Sequence, residues 1–381
     1  MDKIDELLTR GVEKIYPSRE ELEKVLRSGK KLKLYQGFDP SMPNLHLGNF
    51  VGLMKLKQWQ DLGHEVIFLV GDFTGMIGDP TDKSSARIKL TRDQVLENAK
   101  SWKEQAGKIL NFEGENPAKI MFNSTWNDKI TYKDLIEITS NFTVQQLLER
   151  DMFQKRLQEN KPIFLHELLY PVAQAIDCVK MDVDLELGGK DQLFNMMAGR
   201  TLMAAMSNKE KFVMTTKLLI DSSGAKVGKT TGNAVFVNSL PKDIYGSIMS
   251  FPDEVISLGF ELLTTSETPE TDPMNAKKIL AFEVTKILSD ENSAKLAKGF
   301  FESTVQNKEM PTEIPEFKIS VDTNIVDILV QSGLAPSNSE AKRLIAQNAV
   351  EINGIKINDL QKVCKKNDII KSGKRKYIKV I

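Results

Sequence analysis

The spacing of apolar and polar positions changes several times along the chain. "KLKLYQGF" alternates, and Lys33 to Phe38 read as a strand. Leu45 to Leu62 then follow a helical period and predict an amphipathic helix. "EVIFLVGD", from Glu65 to Asp72, is a nearly unbroken apolar run, the pattern of a parallel strand covered on both faces. "TRDQVLENAKSWKEQAGKIL" opens with a capping signature at Thr91 and reads as a helix, and "KIMFNS" as a further short strand. This alternation predicts an α/β fold, a Rossmann-like doubly wound parallel sheet with ligands at the carboxyl ends of its strands.

From about Asn127 to Pro162 the pattern turns helical. "FTVQQLLERDMFQKRLQ" places Val144, Leu147, Leu148, Met152 and Phe153 at helical spacings. Such an apolar face serves equally as plain core or as a subunit interface. A second helical region runs from roughly Pro241 to Glu309, and "NKEMPTEIPEF" is a proline-marked linker. Beyond it "TNIVDILVQSGLA" predicts a helix stopped near Gly333, and "SNSEAKRLIAQN" a second helix behind a serine cap. "VEINGIKIND" predicts a hairpin turning on Asn353-Gly354, and "DIIKSGKRKYIKVI" resembles another.

Composition narrows the picture only in places. The 381 residues suffice for two or three domains. No apolar run approaches membrane length, and "MDKIDELLTRG" resembles neither a signal nor a transit peptide. Cys178 and Cys364 form no CxxC and no zinc spacing, so a cytoplasmic setting without a bound metal is expected. Net charge is zero, yet from Asp322 onward 11 Lys or Arg stand against 6 Asp or Glu. That imbalance suits a small module that meets phosphate, or simply a solvated charged surface.

Three constellations carry candidate chemistry. No GxGxxG follows the first strand, which argues against a dinucleotide site. In "GAKVGKT" Gly224 and Gly228 enclose three residues where a P-loop needs four, and an extended stretch follows in place of a helix. What remains is a Ser/Gly-rich loop with Lys226, Lys229 and Thr230, able to place two ammonium charges on a polyphosphate. In "FDPSMPNLHLGNF", His46 and Asn49 share a face at a helix mouth, where unpaired N–H groups attract anions, and Gly48 leaves room for a flat ring. In "YPVAQAID", Tyr170, Gln174 and Asp177 fall at i, i+4 and i+7, a polar stripe between apolar flanks that reads as pocket lining. "ELGGKDQLFN" adds Gly188-Gly189, Asp191 and Gln192.

With these motifs the chain resembles, over essentially its whole length, the bacterial tyrosyl-tRNA synthetases, class I aminoacyl-tRNA synthetases. "LYQGFDPSMPNLHLGN" is similar to the family's first signature, usually ending His-x-Gly-His. "GDFTGMIGDP", "YPVAQAID" and "LGGKDQ" are similar to its tyrosine and ribose sites, and "KVGKT" stands at its mobile lysine loop. The last sixty residues look like an RNA-binding module shared with a ribosomal protein. Tryptophanyl synthetases share the core but normally lack this tail and the Tyr35 and Asp177 pair.

The resemblance implies that tyrosine is activated by magnesium-ATP to tyrosyl-adenylate, then transferred to the terminal adenosine of tRNA(Tyr). It implies that Lys226, Lys229 and Thr230 hold the leaving pyrophosphate, with Ser41 and His46 on the γ-phosphate side and Asn49 on the ribose. Gly48 would lie under the adenine, and Gly37, Asp39, Gly189, Asp191 and Gln192 would line the ribose and adenylate, Gln192 reaching the tyrosine as well. Asp79, Tyr170 and Gln174 would bind the α-ammonium, and Tyr35 and Asp177 the phenolic hydroxyl. Phenylalanine would leave those last groups unpaired. It further implies a cytoplasmic homodimer with its interface in a helical insertion near 127–165. The expected domains are a catalytic 1–235, an α-helical 236–318 and an RNA-binding 319–381. Asn49 replaces the usual second histidine and keeps an amide donor. "KVGKT" differs from a KMSKS-type loop but retains both lysines, and Lys190 stands where smaller residues are common. A non-catalytic RNA-binding or splicing scaffold on the same fold is the alternative, and it predicts eroded lysines or a broken pocket.

Overall fold

The computed structural model describes residues 2–80, 90–227, 235–306, 314–319, 323–373 and 376–381. They form two compact units, Met1–Asp290 and Glu291–Ile381.

The first unit is built on a six-stranded sheet. In chain order its strands are β1 (Val12–Tyr16), β2 (Lys33–Phe38), β3 (Glu65–Val70), β4 (Lys119–Phe122), β5 (Leu185–Gly189) and β6 (Phe212–Thr216). In space they run β1-β6-β5-β2-β3-β4. The five from β6 to β4 are mutually parallel, and β1 is added antiparallel to β6 at one edge. The doubly wound expectation therefore holds, with an antiparallel edge that periodicity did not reveal. β3 is buried at every position after Glu65, as its apolar run requires of a strand covered on both faces.

The Leu47–Asp61 helix packs on β2, β3 and β5. It is not amphipathic as expected. Only Gly48 and Asp61 are exposed, because Lys55 and Gln60 are drawn inside along with the apolar positions. The other side of the sheet carries the paired helices Leu165–Met181 and Leu193–Ser207, whose Val172, Ile176 and Leu202 close a core with Tyr35, Ile67 and Leu69. Thr91 caps its helix as read, accepting from the Gln94 N–H, but the helix ends at Ala99 and resumes only at Trp102–Ala106. The single helix expected around Leu147 is likewise two, Val144–Leu148 and Asp151–Gln158. Leu147 and Phe153 face inward and Val144 faces out.

The second unit begins with the Glu291–Phe301 helix. Its small core gathers Ile325, Ile328, Leu329 and Ile345 from two helices against Val350, Ile370 and Val380 from a sheet. Ser337 caps the Asn338–Ala346 helix, and Asn353 and Gly354 both take positive φ in the predicted hairpin turn.

Candidate active site

Chain order reverses between β2 and β5. β2, β3 and β4 succeed one another in one direction, and β5 and β6 continue on the other side of β2. Ligands of doubly wound sheets bind at such a switch point, outside the carboxyl ends of the strands. There the structure opens a cleft of about 530 Å³, lined by Gly37, Asp39, Ser41, His46, Gly48, Asn49, Asp79, Tyr170, Gly189, Asp191, Gln192 and Lys226. A narrow recess of about 50 Å³ continues inward past Tyr35, Gln174, Asp177, Asn123 and Thr74. Gly37, Asp39, Tyr170 and Gln192 line both spaces, so cleft and recess are one site. Every described residue named for the tyrosine, ATP or pyrophosphate ends lies on it, whereas Lys190 does not line it. Lys229 and Thr230 lie outside the described residues.

At the open end the helix mouth caps itself. The His46 Nδ1 accepts the Asn49 N–H at 3.3 Å, and the Asn49 Oδ1 accepts the His46 N–H at 3.0 Å. This reciprocal box satisfies two helix-end donors and sets both side chains. With Nδ1 accepting, the imidazole proton sits on Nε2, and the Asn49 amide keeps its NH₂ as a donor. A Cβ at Gly48 would come within 2.9 Å of the His46 ring, so glycine there gives the imidazole its place in the cap. Across the cleft the Lys226 Nζ pairs with Asp191 at 2.6 Å. Lys190 is turned to Glu13, 2.6 Å away.

The middle of the site is a chain of hydrogen bonds. Asp39 accepts from the Tyr170 hydroxyl and from the Thr74 hydroxyl, each at 2.7 Å. The Asn123 amide donates to Thr74 at 3.0 Å and to the Asp177 Oδ2 at 3.1 Å. Asp79 accepts from Gln192 at 2.8 Å and faces the Arg150 guanidinium at 3.6 Å.

At the blind end Asp177 is buried. Trp126 and Asn127 donate to its Oδ1 at 2.7 and 3.1 Å. Burial pushes its carboxyl up to about 8, against the downward pull of the Asn123, Trp126 and Asn127 donors. Tyr35 and Asp177 share the recess without bonding one another. Instead the Tyr35 hydroxyl donates to Glu186 at 2.6 Å, with the Cys178 sulfur at 3.1 Å, and Gln174 donates to the same Glu186 oxygen at 2.9 Å. Burial, with Cys178, Glu186 and Asp177 close by, holds the Tyr35 hydroxyl well above the usual phenol range.

The site thus joins an enclosed, hydrogen-bonding pocket to an open cleft with His46, Asn49 and Lys226. Such a shape suits a ligand with a polar aromatic end and a polyanionic end.

Two family models match the chain. The one described as tRNA synthetases class I (W and Y) covers residues 27–306, and the one described as tyrosine–tRNA ligase SYY-like C-terminal domain covers 306–380. The tyrosine–tRNA ligase of Thermotoga maritima is 41% identical over 98% of this chain and 96% of its own. That of Haemophilus influenzae is 39% identical over 98% and 95%. The chain belongs to the tyrosine–tRNA ligase family.

As a tyrosine–tRNA ligase it is an enzyme, an aminoacyl-tRNA synthetase of class I. Solved tyrosyl-tRNA synthetases share its fold. The truncated mitochondrial enzyme of Coccidioides posadasii superposes with a TM-score of 0.65 at 23% identity, over 78% of this chain and 91% of that one. The Archaeoglobus fulgidus enzyme, solved with L-tyrosine, superposes with a TM-score of 0.59 at 19% identity, over 78% and 100%. In this ligase no helix among the described residues is long and apolar enough to cross a membrane, and no three His, Cys, Asp or Glu side chains there converge as a metal site.

Several residues of this ligase's site escaped the sequence reading. Asn123 stands just past the carboxyl end of β4, where the fold rule could have found it. Thr74 and Glu186 lie inside the quoted "GDFTGMIGDP" and "ELGGKDQLFN" without being singled out, and Lys211 lies in no motif; their bonds to Asp39, Tyr35 and Glu186 span over 30, 100 and 20 residues respectively.

Proposed function

We propose that this chain activates L-tyrosine with magnesium-ATP, releases pyrophosphate, and transfers tyrosine from the adenylate to the terminal adenosine of tRNA(Tyr). The observation that carries this reading is the two-ended site at the switch point, with a buried pocket meeting an open, donor-rich cleft. In this reading Tyr35 and Asp177 receive the phenolic hydroxyl, and Asp79, Tyr170, Gln174 and Gln192 hold the tyrosine backbone end. Gly37, Asp39, Gly48, Gly189 and Asp191 line the ribose and adenine. Asn49 donates to the ribose, and Ser41 and the His46 Nε2–H donate to phosphate. Lys226, Lys229 and Thr230 follow the leaving pyrophosphate.

A substrate carboxylate is ionised at neutral pH, so its attack on the α-phosphate needs no general base. The protein contributes position and charge. Magnesium arrives with ATP, as substrate. Asp79 already has a cationic neighbour in Arg150, so the α-ammonium joins a shared carboxylate and does not meet a bare one.

The same reading assigns residues 1–235 to catalysis, 236–318 to the tRNA stem and 319–381 to RNA contact. It places the enzyme in the cytoplasm as a homodimer, its interface in the helices near 127–165. The exposed side chains of Tyr132, Ile136, Val144 and Leu157 support that choice of face. ATP–pyrophosphate exchange across a panel of amino acids tests the reaction. Exchange that depends on tyrosine is expected, followed by charging of tRNA(Tyr). A chain that binds tRNA but gives no exchange with any amino acid would be the non-catalytic scaffold instead.

A further inference from the structure

Behind the tyrosine recess lies a buried charged cluster that the proposed reaction does not touch. Lys211, just before β6, is 0% exposed, and Glu186, in β5, is 1% exposed. Their side chains pair directly across the two neighbouring parallel strands. Lys211 also donates to the Met196 carbonyl oxygen at 3.1 Å and lies 3.0 Å from the Cys178 sulfur. The two Glu186 oxygens divide their tasks. Oε2 takes Lys211 and the Cys178 thiol, while Oε1 takes the Tyr35 hydroxyl at 2.6 Å and the Gln174 amide at 2.9 Å. One carboxylate oxygen therefore holds two residues that reach the tyrosine substrate in the reading above.

The chain makes room for this cluster. Gly199 sits in the middle of the Leu193–Ser207 helix, where glycine is less favourable than alanine. A Cβ there would come within 2.6 Å of both the Lys211 Nζ and the Cys178 sulfur, and within 3.1 Å of Glu186. A buried ion pair adds little stability over a well-packed apolar pair, so stability alone gives no reason to bury these charges. Its distinctive product is a fixed acceptor beneath Tyr35 and Gln174. Cys178 is not the charged partner, because burial and Glu186 push its thiol up to about 12.

We propose that Lys211 and Glu186 are positioning residues for selection of a phenolic over an unsubstituted aromatic amino acid. Glu186 anchors the Tyr35 hydroxyl and the Gln174 amide, and Lys211 holds the carboxylate in that posture. The inference rests on the tyrosine-binding reading of the recess and adds to it a layer with no substrate contact.

Two double variants and one single variant test it, read by the tyrosine-over-phenylalanine ratio of kcat/KM in pyrophosphate exchange and by the two dissociation constants. Glu186→Leu with Lys211→Met removes both charges while keeping the site apolar and filled. It should lower the ratio about ten- to a hundred-fold, the cost of losing hydrogen bonds to a charged group, and leave the KM for ATP unchanged. Glu186→Gln with Lys211→Met keeps a neutral acceptor beneath Tyr35 and should recover most of the ratio. Gly199→Ala, which pushes a methyl group into the pair, should lower it without removing any polar group, and serves if the apolar pair does not fold. Wild-type selectivity in the folded apolar variant, or in Gly199→Ala, overturns the inference. So does an equal rise in KM for tyrosine and ATP. A wild-type chain that binds no tyrosine would sink the functional reading as well, which separates the two failures.

Discussion

Lys55 brings an ammonium into a nearly closed space beside Leu7, whose carbonyl oxygen it reaches at 2.8 Å, and Gln58, at 2.6 Å. Burial pulls its pKa down from 10.5 to about 7, with Arg10 adding to the fall and Glu6 and Glu261 opposing it. Between those two values the unfolded chain holds a proton that the folded chain has released. Raising the pH through this window therefore stabilises the fold, by up to about 1.4 kcal/mol per pH unit from this one group. Lys55→Met should remove that slope. Urea denaturation at pH 7 and pH 9 measures it: the wild-type gain between the two should exceed the variant's, and equal gains would refute the assignment. Nothing in "LMKLKQWQ" marks Lys55 for burial, since it takes its place from the packing of a segment nearly fifty residues earlier in the chain. His46 and Asn49 are the opposite case. Their three-residue spacing at the start of a helical period placed them together before any tertiary contact was known.

Among the elements, the Leu47–Asp61 helix links sequence to chemistry most directly. Its mouth is held by the His46 and Asn49 box, so Asn49 serves the helix with its oxygen and, in the proposed function, the ribose with its nitrogen. Asn49→Ala should cost about 1 kcal/mol of stability from the lost cap and should also raise the KM for ATP. Asn49→His should restore ATP use, because it returns a donor. Thermal unfolding together with pyrophosphate-exchange kinetics checks both; a variant with an intact KM would remove Asn49 from the ATP site. The helix itself was legible and its exposure was not. A 3.6-residue period records which positions are apolar, whereas burial of Lys55 and Gln60 depends on partners supplied by Leu7, Asn111 and Asn116. For the same reason the stretch around Leu147 read as one helix and folded as two. The break at Glu149 and Arg150 carries no glycine or proline to announce it.

At the scale of the molecule, the described site is drawn from residues between Tyr35 and Val227, all within the first compact unit. The excess of basic residues lies beyond Asp322, in the second. The two family models meet at residue 306. A chain ending there should retain tyrosine-dependent pyrophosphate exchange and lose charging of tRNA(Tyr). Assaying both reactions on the truncated enzyme separates the roles, and full charging without the tail would assign tRNA recognition to residues 1–306. The sequence by itself determined the strands β2, β3 and β4, the helix that follows β2, the caps at Thr91 and Ser337, the Asn353-Gly354 turn and the motifs that converge on one cleft. These are local properties, set by backbone propensity, hydrogen bonding within a few residues and the period of burial. Only the tertiary structure decided that β1 joins the sheet antiparallel at β6, that Tyr35 rests on Glu186 rather than on Asp177, and that Lys211 stands behind them. Those choices pair residues 25 to 204 positions apart, and a partner at that distance is selected by the packing of the whole sheet, which no local pattern encodes.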